Sequence, residues 1–315
     1  MWKGYDSLPS YFGGKRKLAR RIMSHAEGEV FIDAFLGGGS VSLLAKARGF
    51  KVICNDISER SRMVGKAIVE NKNTKLTDYD VYSLFKETEN KFIRETYPNL
   101  LLEKDIQFID NAFANAKTDL QKLLLIKFLA KYKPFGMLSN KIPKDLETCN
   151  IKVIKPHIKY MYKPVRALEQ IKDHINYGIF DNGKDNEFHQ KDVFDFLENV
   201  QGDTVYFDPP YAGSQSYEEF YNILDSILVQ KKIHVEKSKF NSDDAEKFLH
   251  KLLEKSMHIK KVIFSFGGPQ IDGQKLLSIV QQHRPAELYE IQHKWAITAS
   301  DEQMQTATEI LVVSK

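Results

Sequence analysis

The stretch that most limits the fold is Val30-Phe31-Ile32-Asp33-Ala34-Phe35-Leu36-Gly37-Gly38-Gly39-Ser40. A short apolar run ends in an acid and a glycine turn, and the residues from Val41 to Arg48 then suit a helix. Glycines let the backbone approach a ligand closely at the carboxyl end of a strand, which is where open α/β sheets bind their cofactors. A second strand, Lys51-Val52-Ile53-Cys54, follows and stops at Asn55-Asp56. An acid there, about 20 residues past the glycines, is suited to take both hydroxyls of a ribose. The expectation is an α/β sheet carrying a nucleotide-type ligand on its strand ends. A dinucleotide dehydrogenase shares this opening, but Gly-x-Gly-x-x-Gly would need a third glycine where Ser42 stands.

The second informative stretch is Val205-Tyr206-Phe207-Asp208-Pro209-Pro210-Tyr211, a β-type run that stops at an acid, two prolines and an aromatic. An exocyclic amino group on a nucleobase is a poor nucleophile, because its lone pair is delocalised into the ring. Acceptors that pull its two hydrogens out of the ring plane would restore it. Asp208 offers a carboxylate, and the restricted Pro209-Pro210 pair offers a fixed carbonyl at Pro209. Tyr211 adds a flat face for a base taken out of its stack. Taken alone, the tetrapeptide serves equally well as an ordinary strand exit with Tyr211 on the core.

Pro9-Ser10-Tyr11-Phe12-Gly13-Gly14-Lys15 leads into an expected helix from Arg16 to about Ala26, and the Gly-Gly turn with Lys15 suits a carboxylate. A solvated basic leader is the alternative. From about Leu76 to Gly178 the pattern becomes helical, and Leu120 to Ala130 has the apolar density of a buried helix. Lys127 to Arg166 carries ten Lys/Arg against only Asp145 and Glu147, interleaved with aromatics. Lys131, Lys133, Asn140 and Lys141 there are candidates for meeting nucleic acid, although a Lys-rich face is also often merely solvated.

Beyond that region, Asp192 stands where it could take the amino group of an adenine ring or cap a helix over Val193 to Glu198. Gly213 to Lys239 is polar, with a helical piece near Tyr217 to Leu228, and is expected to form a flap. A helix from Ser242 to Ser256, a strand from Lys261 to Phe266 and a helix from Gly273 to Gln282 follow. Ala286 to Lys294 and Thr308 to Val313 read as an antiparallel edge pair.

The formal charge of +4 is mildly basic, and 42% hydrophobic content supports a substantial core. Cys54 and Cys149 stand far apart, which argues against a disulfide framework or a cysteine-based zinc site. No apolar run approaches the ~20 residues that span a bilayer, and the start lacks an apolar leader. These features point to a cytoplasmic protein.

Tyr11 to Lys15, Asp33 to Ser40, Asn55-Asp56, Asp192 and Asp208 to Tyr211, in this order, resemble the motifs of the Dam-like (alpha-group) DNA adenine-N6 methyltransferases. The resemblance implies a Rossmann-like sheet over 1–75 and 179–315, with an inserted, mainly helical target-recognition domain over 76–178. It implies S-adenosylmethionine as methyl donor, double-stranded DNA as partner and no metal. Tyr11, Lys15, Asp33, Phe35, Gly37, Gly39, Asp56 and Asp192 would hold the donor, with Lys15 near its carboxylate. Asp208, Pro209 and Tyr211 would hold a flipped-out adenine. Val193 departs from the family, which often has an aromatic directly after the acid. The same chemistry on cytosine N4 or on RNA stays open, as does a non-catalytic DNA-binding member of the fold.

Overall fold

The computed structural model describes residues 2–11, 14–98, 100–101, 103–132, 163–210, 217–234, 238–266, 270–296 and 304–315. Among them the strands are β1 (Val30–Asp33), β2 (Lys51–Asn55), β3 (Glu187–His189), β4 (Thr204–Phe207), β5 (Lys261–Phe266), β6 (Ala286–Ala296) and β7 (Met304–Ser314). They form one sheet in the order β3-β2-β1-β4-β5-β7-β6. β1 to β5 run parallel, and β7 lies antiparallel between β5 and β6.

The strand order reverses beside β1. The chain steps outward through β2 and β3, then returns to lay β4 and β5 on the other side. Ligands of open sheets lodge outside the carboxyl ends at such a reversal. Here β1 and β4 form its two walls, with Asp33 in register with Tyr206.

The helices in chain order are α1 (Ala19–Ile22), α2 (Ser40–Ala47), α3 (Glu59–Val64), α4 (Asp78–Tyr82), α5 (Phe92–Thr96), α6 (Glu103–Asn115), α7 (Asp119–Tyr132), α8 (Pro164–Tyr177), α9 (Val193–Asn199), α10 (Tyr217–Val229), α11 (Ala245–Lys255) and α12 (Gly273–Gln281). Alternation of side chains along the strands sorts the interior into two cores. Ile32, Ile53, Val205, Phe207, Val262, Phe264 and Val312 face α9, α11 and α12. Phe31, Val52, Cys54, Tyr206, Ile263 and Leu311 face the other way. Val81, Leu84, Ile93, Leu123 and Leu168 belong to this second cluster, so the helices between β2 and β3 share one continuous apolar core with the sheet.

Two local differences from expectation have physical causes. The first helix is regular only over Ala19–Ile22, not from Arg16 to Ala26. Arg16 instead donates to the carbonyls of Leu8 and Pro9, and the Glu27 N–H leaves to meet Thr204 Oγ1 at 2.9 Å. The late strands are each longer than the apolar pattern suggests, because their pairing runs on from Lys294↔Thr306 to Ala296↔Met304. No described helix is long and apolar enough to cross a membrane.

Candidate active site

Outside the carboxyl ends of β1 and β4 lies a cavity of about 760 Å³. Its floor is the glycine turn. Gly39 has φ of +76°, and a Cβ there would come within 2.8 Å of Val64. At Gly38 a Cβ would come within 2.7 Å of the Tyr11 Cβ, so the turn needs its glycines for close packing against Tyr11 and α3. Tyr11 is half-buried and lines the cavity.

Asp33 is 1% exposed. Its Oδ2 accepts from Ser42 Oγ at 2.7 Å, while the buried Oδ1 has no hydrogen-bond partner among the described residues. Ser42, the residue standing where a dinucleotide fold would have its third glycine, thus holds the acid in place. Burial pushes the Asp33 carboxyl up to about 7, against the opposing hydrogen bond from Ser42, and the charge of Asp208 pushes it further the same way. A buried acceptor left without a donor costs free energy, roughly 1–3 kcal/mol, until something supplies one. Its position on the cavity wall suits a cationic or N–H-bearing group of a ligand.

Asp56, just past β2, receives the Gly37 N–H on Oδ2 at 2.8 Å and both the N–H and Oγ of Ser58 on Oδ1. The acid therefore ties the glycine turn to the start of α3 as it faces the cavity. Next to it Ile57 is 67% exposed at the cavity wall, an apolar surface suited to a flat ring. Asp192 does cap α9: its Oδ1 accepts the Phe194 N–H at 2.9 Å, and Lys239 Nζ stands 3.3 Å from Oδ2. Phe35, Phe194 and Phe240 make the apolar end of the cavity, with Phe240 edge-on to Phe35 at 5.3 Å. Phe194 thereby gives the aromatic wall that Val193 does not.

Asp208 follows β4 directly. Lys15 Nζ lies 3.0 Å from its Oδ1 and 3.4 Å from Glu309 Oε1. Burial alone would lower the Lys15 pKa, but Asp208 and Glu309 together override it and raise it well above the ordinary value. The charge of Lys15 is thus engaged with two protein carboxylates, whereas the sequence pointed it at a carboxylate of the donor. Pro209 is buried and Pro210 half-buried, both on the cavity wall. Tyr211, the other residue expected to hold the base, lies outside the described residues, as do Lys133, Asn140 and Lys141. Lys131 is exposed on α7, away from the cavity lining.

Three features escaped the sequence reading. Arg60 donates to Asp225 Oδ2 at 2.8 Å and to Tyr11 Oη at 3.0 Å, and its backbone N–H reaches Asp225 Oδ1. This joins α3, α10 and the N-terminal segment around the cavity. Phe240 comes from a turn with no signature. Glu309 did carry a signal, an acid set at the head of the apolar run Ile310-Leu311-Val312-Val313.

A parallel sheet with a glycine turn, an acid after β2 and a carboxylate-proline exit at the strand-order reversal defines an α/β enzyme that works with a nucleoside-containing cofactor. Residues 11–291 match the family described as D12 class N6 adenine-specific DNA methyltransferase. The chain belongs to that family, whose methyl donor is S-adenosylmethionine. It is 26% identical over 322 residues to the Type II methyltransferase M2.HphI of Haemophilus parahaemolyticus, covering 96% of each chain. It is also 23% identical over 240 residues to the modification methylase StsI of Streptococcus sanguinis, covering 69% of this chain and 36% of that one. The solved structure of SMU.776 complexed with SAH covers 96% of this chain at 11% identity and a TM-score of 0.39, and this chain spans 50% of that one.

Proposed function

We propose that this chain methylates N6 of an adenine taken out of double-stranded DNA, with Asp208 as the reacting carboxylate. The observation that carries the reading is the position of Asp208, past β4 at the strand-order reversal, opening on the same cavity as Asp33 and Asp56. S-adenosylmethionine supplies an electrophilic methyl group on sulfur. Asp33 would receive its amino group, Asp56 the ribose hydroxyls, and Ile57, Phe35 and Phe194 the purine. Asp192, already a helix cap, would turn its remaining acceptor capacity to the purine amino group.

Asp208 would accept one hydrogen of the target N6 and the Pro209 carbonyl the other. These two acceptors would localise the lone pair on nitrogen, and once N6 had taken the methyl group Asp208 would accept the proton that the nitrogen gives up. Tyr211 would stack on the displaced base, and the region 76–178 would select the sequence around it, with Lys131, Lys133, Asn140 and Lys141 among its DNA contacts. DNA as substrate makes the cytoplasm the working compartment. The likeness to M2.HphI, named a Type II methyltransferase, supports a role as the modification partner of a restriction enzyme.

The test is transfer of labelled methyl groups to unmethylated duplex DNA followed by nucleoside analysis. Wild type should yield N6-methyladenine, and Asp208→Ala should lower the rate by about 10²- to 10⁴-fold while still binding the donor. An Asp208→Ala rate within a few fold of wild type would remove the carboxylate from the chemistry.

A further inference from the structure

We propose that Glu309, fixed by Ser265, is a positioning residue for methyl transfer, sharing the Lys15 ammonium with Asp208 so that Asp208 stays an oriented and basic acceptor. The inference rests on the reading of Asp208 as acceptor of the amino hydrogens, and deepens it.

Glu309 sits on β7, outside the parallel part of the sheet. Leu311 is the register partner of Ser265, so Glu309, two residues earlier, falls on the same face as Ser265. Because β7 is antiparallel to β5, that early part of β7 lies beside the carboxyl end of β5 and level with the site. Ser265 Oγ donates to Glu309 Oε1 at 2.7 Å, the same oxygen that lies 3.4 Å from Lys15 Nζ. The three charged side chains, Lys15, Asp208 and Glu309, are 7%, 19% and 11% exposed. Neither Glu309 nor Ser265 lines the cavity, and Lys15, which does, links Glu309 to it.

The charge balance indicates the direction of that influence. Lys15 with Asp208 alone would be a neutral pair, and an ammonium committed wholly to Asp208 would draw electron density from the carboxylate that must accept hydrogens. A second carboxylate on the same ammonium leaves the triad with one net negative charge. Asp208 then remains the better acceptor, and the triad faces a donor whose sulfur is positive. Ser265 keeps Glu309 from following Lys15 toward Asp208. The raised Lys15 pKa agrees with an ammonium held by both acids.

The discriminating variant is Glu309→Gln, which preserves shape and a carbonyl for Ser265 but removes the charge. Single-turnover methylation should slow by about tenfold with donor and DNA KM values unchanged. The acidic limb of its pH–rate profile should move to lower pH, because Asp208 loses a like-charged neighbour. Ser265→Ala, which leaves the charge but frees Glu309 to follow Lys15 toward Asp208, should shift the same limb the opposite way, to higher pH, and serves if Glu309→Gln does not fold. Wild-type rate and an unmoved acidic limb in a folded Glu309→Gln protein overturn the proposal, as does a rise in KM at constant kcat. An Asp208→Ala protein that still methylates would instead fail the underlying reading, and the two failures are told apart by running both variants together.

Discussion

Asp33 and Asp208 leave neighbouring parallel strands on the same side of one sheet, yet they are supplied with opposite electrostatics. Asp208 has the Lys15 ammonium at 3.0 Å. Asp33 has a hydroxyl from Ser42 and, among the described residues, no cation within ion-pair distance, and its carboxyl is pushed up to about 7. A carboxylate with its own counter-charge needs nothing from the cavity to balance it. A buried one without such a partner is waiting for a cation that arrives with the ligand. On the proposed reading, the difference separates the acid that would do chemistry from the acid that would bind the donor.

The strongest way to break the contrast is to take the counter-charge from Asp208. Lys15→Met should leave Asp208 and Glu309 facing each other with no ammonium between them. Removing one partner of a buried charged cluster costs about 3–5 kcal/mol, readable in urea unfolding. Methyl transfer should fall by roughly 10²-fold, because Asp208 then loses the cation that orients it. A variant as stable and active as wild type would mean that the pairing has no consequence.

A gentler change exchanges the roles. Asp33→Asn should weaken donor binding by roughly 10- to 100-fold, the worth of one charge-assisted hydrogen bond, whereas Asp208→Asn should alter it by about twofold at most. Calorimetric titration of both variants with S-adenosylmethionine would show whether donor binding depends on one acid or both. Equal losses would erase the distinction.

The smallest effect is a pH dependence. The Asp33 carboxyl titrates near 7 in the folded chain and near about 4 when unfolded. The folded chain therefore holds an extra proton between those values, and stability falls as pH rises through that window. Donor binding, which needs the ionised form, runs the other way. Affinity should rise by up to about tenfold per pH unit as pH approaches 7 and level off above it, and Asp33→Asn should flatten the curve.

Much of this arrangement is legible along the chain, because it depends on neighbours in sequence. The apolar runs of β1, β2 and β5, the glycine turn and the acids that end β1, β2 and β4 all announce themselves locally. The buried helix around Leu120 to Ala130 does so as well, and appears as α7. What stayed hidden depends on residues far apart in sequence. Lys15 reads as a charge at a helix start until the fold brings Asp208 and Glu309 to it. Arg60 carries no local signal, and Asp225 meets it at 2.8 Å only in the fold. Asp192 had two local uses, and the fold shows the cap in place, with Oδ1 on the Phe194 N–H.

The Lys15–Asp208–Glu309 triad draws one member from each of three distant stretches of chain, and Glu309 comes after all the others are made. Proteins are synthesised and begin to fold from the amino end. The glycine turn, Ser42 and Asp56 can therefore assemble around Asp33 while β7 has yet to be translated. On the proposed reading, a nascent chain of this kind acquires the residues that would hold its methyl donor first and its full complement of charge around Asp208 last. The shared ammonium beside Asp208 is then complete only once β7 has been inserted between β5 and β6.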